Sequence, residues 1–165
     1  MGVFQGEVLS IGEMLRRSLA EPAPDLRSDI GVLHTAASNA RDCMGFLGEE
    51  SGLGEAWRFG ILQTLDDYTS TLRRGGPGVA QGVFTDEPAP TGAVQVDAAF
   101  AALAEHLAIR DGWDAPAWTR QGSRFLTVPW FPAVPARFRV EAERDSPPAF
   151  RRRGIFLTDR SLARA

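Results

Sequence analysis

Residues 113–135 read WDAPAWTRQGSRFLTVPWFPAVP, a stretch holding three tryptophans, two phenylalanines and four prolines. Each proline fixes its own φ and withholds a backbone N–H, so this stretch can form neither a long helix nor a central strand. Large rings spaced by prolines form an irregular wrap instead, with the rings filling gaps between other elements. The wrap needs something to cover, and the preceding residues supply it as helices.

Ser10 followed by Glu13 matches a capping box, and Leu15 and Leu19 begin an apolar stripe that Pro22 and Pro24 end. A second helix is expected from Ser28 or Asp29 to about Leu47, on Ile30, Leu33, Ala37, Ala40, Met44 and Leu47, with Gly48 as its cap. The third has the clearest pattern: Trp57, Ile61, Leu65, Tyr68 and Leu72 share a face, Arg73 and Arg74 suit the negative end of the helix dipole, and Gly75 stops it. The Gly- and Pro-rich segment 75–92 reads as a connector with one short helical turn. A fourth helix starts near Asp97, carries Phe100, Leu103 and Leu107, and ends before Gly112. After the wrap, a short helix enters through Pro135. Ser146 and Pro147 look like the cap and first position of one more turn, IFLT like a buried extended segment, and DRSLARA like a last short helix. The expected fold is mainly α: a helical bundle of about four helices with an irregular aromatic- and Pro-rich C-terminal cap and at most a small strand pair. It reads as a single domain over 1–165, with a helical N-terminal half (1–75), a connector (76–96) and a C-terminal half (97–165).

Charge divides unevenly along this chain. Residues 1–118 carry 8 Arg against 17 acids, and residues 119–165 carry 10 Arg against 4. Such polarity points either to an internal dock between the halves or to a basic face kept for another molecule. All 18 basic residues are arginine, which reflects GC-rich coding more than function and lowers the weight of any one cluster. Cys43 is the single cysteine, so no disulfide forms within the chain and a reducing compartment is expected. The N-terminus lacks the layout of a signal peptide, and no apolar run is long enough for a bilayer, so a cytoplasmic, non-membrane protein is expected.

Catalytic signatures are weak. His34 and His106 have no second His or Cys at ligand spacing, so no metal and no cofactor is expected. Cys43 reads as a structural thiol, no Ser sits on a Gly-x-Ser-x-Gly elbow, and the glycine runs lack a P-loop lysine. Asp66–Asp67 and Glu49–Glu50 are adjacent pairs, which diverge on a helix. No catalytic residue is assigned. The arginines remain: Arg151, Arg152 and Arg153, with Arg144, Arg160 and Arg164 nearby. They can pair with acids of the first half such as Asp66, Asp67 or Glu105, dock an acidic protein, or grip a phosphate backbone. The acidity of the first half opposes non-specific duplex binding.

The motifs DEPAPTG, DAAFAALAEHLAIRDGWDAPAW and SPPAFRRRGIFL, all within residues 86–165, together resemble a group of short actinobacterial proteins with a shared ending. Some members of that group are associated with helix-turn-helix regulators, which implies an antitoxin-like, regulatory role. This chain departs from that association, because AWRFGILQTLDDY offers few basic residues for a DNA groove. The resemblance implies no catalytic residue. It implies that Phe150, Ile155 and Phe156 anchor the arginines beside Trp113, Trp118 and Trp130. The functional expectation is a non-enzymatic interaction or regulatory protein that binds an acidic protein partner through Arg144, Arg151, Arg152, Arg153 and Arg160. The alternative is a small-molecule site or small enzyme with a pocket lined by Trp113, Trp118, Trp130 and Phe131. Nucleic acid ranks behind a protein partner, and the sequence leaves the oligomeric state open.

Overall fold

The computed structural model describes residues 10–13, 16, 31–48 and 52–162. The fold is mainly α. Helix α1 spans Ala36–Cys43, α2 Gly52–Ala56, α3 Gln63–Ala80, α4 Val94–Asp111, α5 Arg139–Asp145 and α6 Pro148–Arg151. Among the described residues there is no strand. A single parallel bridge joins Trp130 to Ile155.

Most of the first expected helix falls outside the described residues, including Leu15 and Leu19. Its start is present: residues 11–13 are helical and the Glu13 amide donates to the Ser10 hydroxyl at 3.2 Å. The second helix begins later than the periodicity suggests. Residues 31–35 are not helical, because Thr35 and Ser38 form a reciprocal capping box that fixes the start at Ala36. Ile30 lies outside the described residues.

The third expected helix is a continuous path from α2 to α3 through a π-helical stretch, Trp57–Leu62. The stretch sits at a close approach. A Cβ on Gly60 would lie 3.1 Å from the Cys43 sulfur and 3.3 Å from the Phe100 ring, so a side chain there would have to push Cys43 on α1 and Phe100 on α4 aside by a few tenths of an ångström. Beyond it the buried face runs through Thr64, Tyr68 and Thr71, leaving Leu65 and Leu72 half-buried. Threonine is tolerated inside because each hydroxyl donates to the carbonyl four residues back, Thr64 to Gly60 and Thr71 to Asp67, both at 2.7 Å. Helix α3 breaks at Gly76, one residue past the expected stop. There φ is 72°, and Pro77 starts a last turn that runs on through Gln81–Phe84.

Helix α4 is the axis of the molecule. Every residue of 96–104 is buried, as are Leu107 and Ala108. Periodicity marks one face with Phe100, Leu103 and Leu107, but six alanines (98, 99, 101, 102, 104 and 108) are buried as well. A helix apolar on all sides is surrounded on all sides. Helix α2, the π-helical stretch, the 3₁₀ turns Ala117–Arg120 and Gly122–Arg124, and α6 all pack on it. Gly112, at φ 75°, ends it in the left-handed conformation, and the amides of Gly112 and Trp113 both donate to Ala108 O.

The C-terminal segment passes through this core rather than over it. Phe150, Ile155 and Leu157 are buried, and Leu126 N, Trp130 N and Phe156 N bond Arg153 O, Gly154 O and Trp130 O at 3.1, 2.9 and 2.9 Å. Ser146 caps the end of α5 instead of the start of α6. Its hydroxyl lies against Ala142 O and accepts the Leu157 amide at 2.6 Å, tying the two ends of the segment together.

Candidate interaction surface

The three consecutive arginines have three different environments. Arg153 is 1% exposed and is the largest side chain buried to that degree. Its Nη1 donates to Glu105 Oε2 on α4 and to Ala149 O at 2.8 Å, and its Nη2 donates to Thr119 O at 2.8 Å. The guanidinium lies over the Phe125 ring, 4.9 Å from its centroid. One residue thus joins α4, α6 and the wrap. Burial pulls this guanidinium below its ordinary pKa, and the hydrogen bond it donates to Glu105 offsets only part of that shift. Arg152 pairs with the same Glu105 from the rim, 46% exposed, and Arg151 is exposed with Nη2 on Ser146 O at 3.1 Å.

Arg124, 2% exposed, repeats the Arg153 pattern. It bonds Glu87 Oε1 at 3.1 Å and Pro88 O at 2.7 Å, and stacks over Trp118 at 5.4 Å. Both arginines leave a buried Nε without a partner. The seam between the acidic and basic halves therefore runs through Glu105 and Glu87. Of the acids that the sequence offers for it, Asp67 accepts instead from Asn39 and Gln63 at 2.8 and 3.2 Å, linking α1 to α3.

Arg153 is therefore withdrawn from the expected partner-binding set, because it is enclosed. Arg144 is exposed but already forms two 2.7 Å hydrogen bonds with Asp145. Arg160 is exposed and lines a cavity of about 260 Å³ with Phe138, Glu141 and Thr158. Two further arginines complete that face. Arg139 lies over the Phe131 ring at 5.0 Å, Phe131 stacks on Phe156 at 5.2 Å, and Arg137 covers Phe138 at 4.8 Å. The extended residues 156–158 run beside the segment 131–141, so Phe156, Thr158 and Arg160 meet Phe131 and Phe138 on one surface. Arg137, Arg139 and Arg160 have no carboxylate partner among the described residues. The alternation Arg-Phe-Arg at 137–139 was the available sequence signal for this face, whereas nothing local to Gly122–Arg124 marks Arg124 for burial.

The tryptophans separate. Trp113 stacks on Phe84 at 6.0 Å and donates to the Tyr68 hydroxyl at 2.9 Å. It lines a cavity of about 370 Å³ with Gly78, Gln81, Gly82, Thr85, Asp114 and Pro116. Trp118 is buried and donates to Phe84 O, and Trp130 meets Trp57 edge-on at 5.7 Å. Neither belongs to the wall of the Trp113 cavity.

Behind Trp113, Tyr68 donates to Asp111 at 2.7 Å, and Arg110 grips Asp111 through Nε and Nη2. Burial and the Asp111 carboxylate push the Tyr68 hydroxyl up to about 12, and Arg110 holds Asp111 below its usual range. The Cys43 thiol, buried and donating to Ala40 O, is pushed up to about 11, which removes the thiolate at neutral pH. Among the described residues no group of three or more His, Cys, Asp or Glu side chains is placed to hold a metal ion, and no helix is long and apolar enough to cross a membrane.

His106 packs edge-on to Phe150 at 5.9 Å, and burial followed by the Arg110 charge pulls its pKa below the ordinary 6.5. The folded chain therefore takes up this proton less readily than the unfolded chain. Stability from this site is complete above about pH 6.5 and is lost as pH falls through the lower folded value. Urea midpoints should fall between pH 7.5 and 5, and His106→Gln should reduce that fall. An equal fall in both proteins would assign the pH dependence elsewhere.

Compared with family models, with curated proteins and with solved structures, the chain matches none. The functional reading therefore rests on its own geometry.

Proposed function

We propose that this chain is a non-enzymatic interaction protein, an accessory or antitoxin-like regulator, that docks an acidic protein partner on its Arg–aromatic C-terminal face. The observation that carries the reading is the Arg139–Phe131–Phe156 stack beside Arg137–Phe138 and Arg160. Guanidinium groups lying on rings retain charge and free donors while losing mobility, which lowers the entropy cost of docking. Arginine and aromatic side chains are also the residue types that dominate interface energetics. An acidic partner supplies the carboxylates that these arginines lack within the described chain, and the charge attraction speeds encounter. Arg151 bonds Ser146 O and Arg152 is held by Glu105, so neither is needed for this reading.

The test is a nuclease-treated pull-down from the source cell, comparing wild type with an Arg137→Ala/Arg139→Ala/Arg160→Ala variant of matched thermal stability. One stoichiometric acidic protein, retained by wild type and lost by the variant, supports the reading. Equal retention by both, or none by either, overturns it. A nucleic acid partner would instead give low-salt binding with a steep salt dependence.

A further inference from the structure

A cavity of about 320 Å³ opens at the start of α4, between residues 87–92 and the Gly122–Arg124 turn. The buried Arg124 forms part of its wall. Both Nη atoms of this side chain are in use: Nη2 donates to Glu87 Oε1 and Pro88 O, and Nη1 to Asp97 O at 3.5 Å. Nε remains, a buried N–H with no acceptor among the described residues. A guanidinium N–H withdrawn from water and left unpaired is costly, and an acceptor delivered through the cavity removes that cost. The rest of the wall decides what kind of acceptor fits. Glu87 already balances the Arg124 charge, and Asp97, with Oδ1 on the Thr91 amide at 2.8 Å, adds a second carboxylate. An anion would meet this negative excess, and a cation would bring no acceptor to Nε. A neutral carbonyl oxygen satisfies both conditions.

We propose that this cavity binds a small uncharged carboxamide. Its carbonyl oxygen accepts from Arg124 Nε, and its amide N–H groups donate to Gln121 Oε1 and Ser123 Oγ in the same wall. Gln121 is suited to accept, because its Nε2 is already turned to Glu87 Oε2 at 3.1 Å. A short aliphatic body rests on Pro90 and Val94, the apolar part of the wall. The site is independent of the arginine face, which lies on residues 131–160.

The experiment follows the arginine Nε–H resonances of the full, nitrogen-labelled chain by NMR at pH 7 during titration with butyramide. Butyrate and butylammonium, which share its carbon chain and differ in the charge of the head group, are titrated alongside. Proximity to the Trp118 ring identifies the Arg124 signal, and proximity to Phe125 identifies that of Arg153, the other buried Nε without a partner. Butyramide alone is expected to shift the Arg124 signal saturably while the Arg153 signal stays in place. Val94→Trp fills the cavity from a position already 60% exposed, and should weaken binding by about tenfold or more. Ser123→Trp fills it from the opposite side, also from an exposed position, and decides if Val94→Trp does not fold. No saturable shift in wild type, an unchanged affinity in the filled variant, or an equal response to butyrate or butylammonium overturns the proposal.

Discussion

Arg153→Ala should lower the unfolding free energy by about 3–5 kcal/mol, the range for breaking a buried ion pair by removing one partner. The substitution also leaves Ala149 O and Thr119 O without a buried donor, and takes a filled volume out from under Phe125. Domain stabilities are about 5–15 kcal/mol, so the variant is expected to be folded marginally or not at all at ambient temperature. Arg152→Ala serves as the control. It removes the exposed partner of the same Glu105 and should cost about 0–1 kcal/mol. Urea titration of both variants checks the ordering, and a double-mutant cycle with Glu105→Gln should show coupling for Arg153 and little for Arg152. Equal losses at the two positions would mean that Arg153 is not the interior residue of the pair.

Phe150→Ala should cost a similar amount, about 3–5 kcal/mol, for a different reason. Its ring is fully buried and packs edge-on against Trp57 at 6.5 Å and His106 at 5.9 Å, so its removal opens a cavity between α6, α4 and the π-helical stretch. None of the three elements can close that space easily. His106 is held on a helix enclosed over 96–104, and Trp57 on a backbone fixed by the close approach at Gly60. The denaturant midpoint should fall with the m-value unchanged. A loss below about 1.5 kcal/mol would mean that the site repacks and that the segment is not an anchored part of the core.

The parts of this molecule that were legible in its sequence are those governed by local rules. The proline-rich wrap, the Trp57–Tyr68 helix, the glycine stops near residue 76 and at Gly112, and the short helix after Pro135 each follow from backbone constraint or periodicity. The full burial of α4 was less visible, because its alanines carry little hydrophobic contrast although they permit contact on every side. The Thr35–Ser38 box displaced the start of α1 because a satisfied cap outweighs a continuing apolar stripe. Burial of Arg124 and Arg153 was beyond local reading. Each needs a carboxylate, ring and backbone acceptors brought from segments distant in the chain, such as Glu105 and Thr119 for Arg153. Trp113, Trp118 and Trp130 do not share one pocket, because an irregular segment can send neighbouring rings to different parts of the core.

The central claim is that residues 153–157 belong to the core and thereby fix the arginine face beside them. Native-state amide hydrogen exchange tests it most directly. The N–H groups of Trp130, Phe156 and Leu157, bonded to Gly154 O, Trp130 O and Ser146 Oγ, should exchange only through the global opening that exposes the interior of α4. Exchange of these amides at the rate of an open tail, while the amides of Leu103 and Leu107 stay protected, would contradict it.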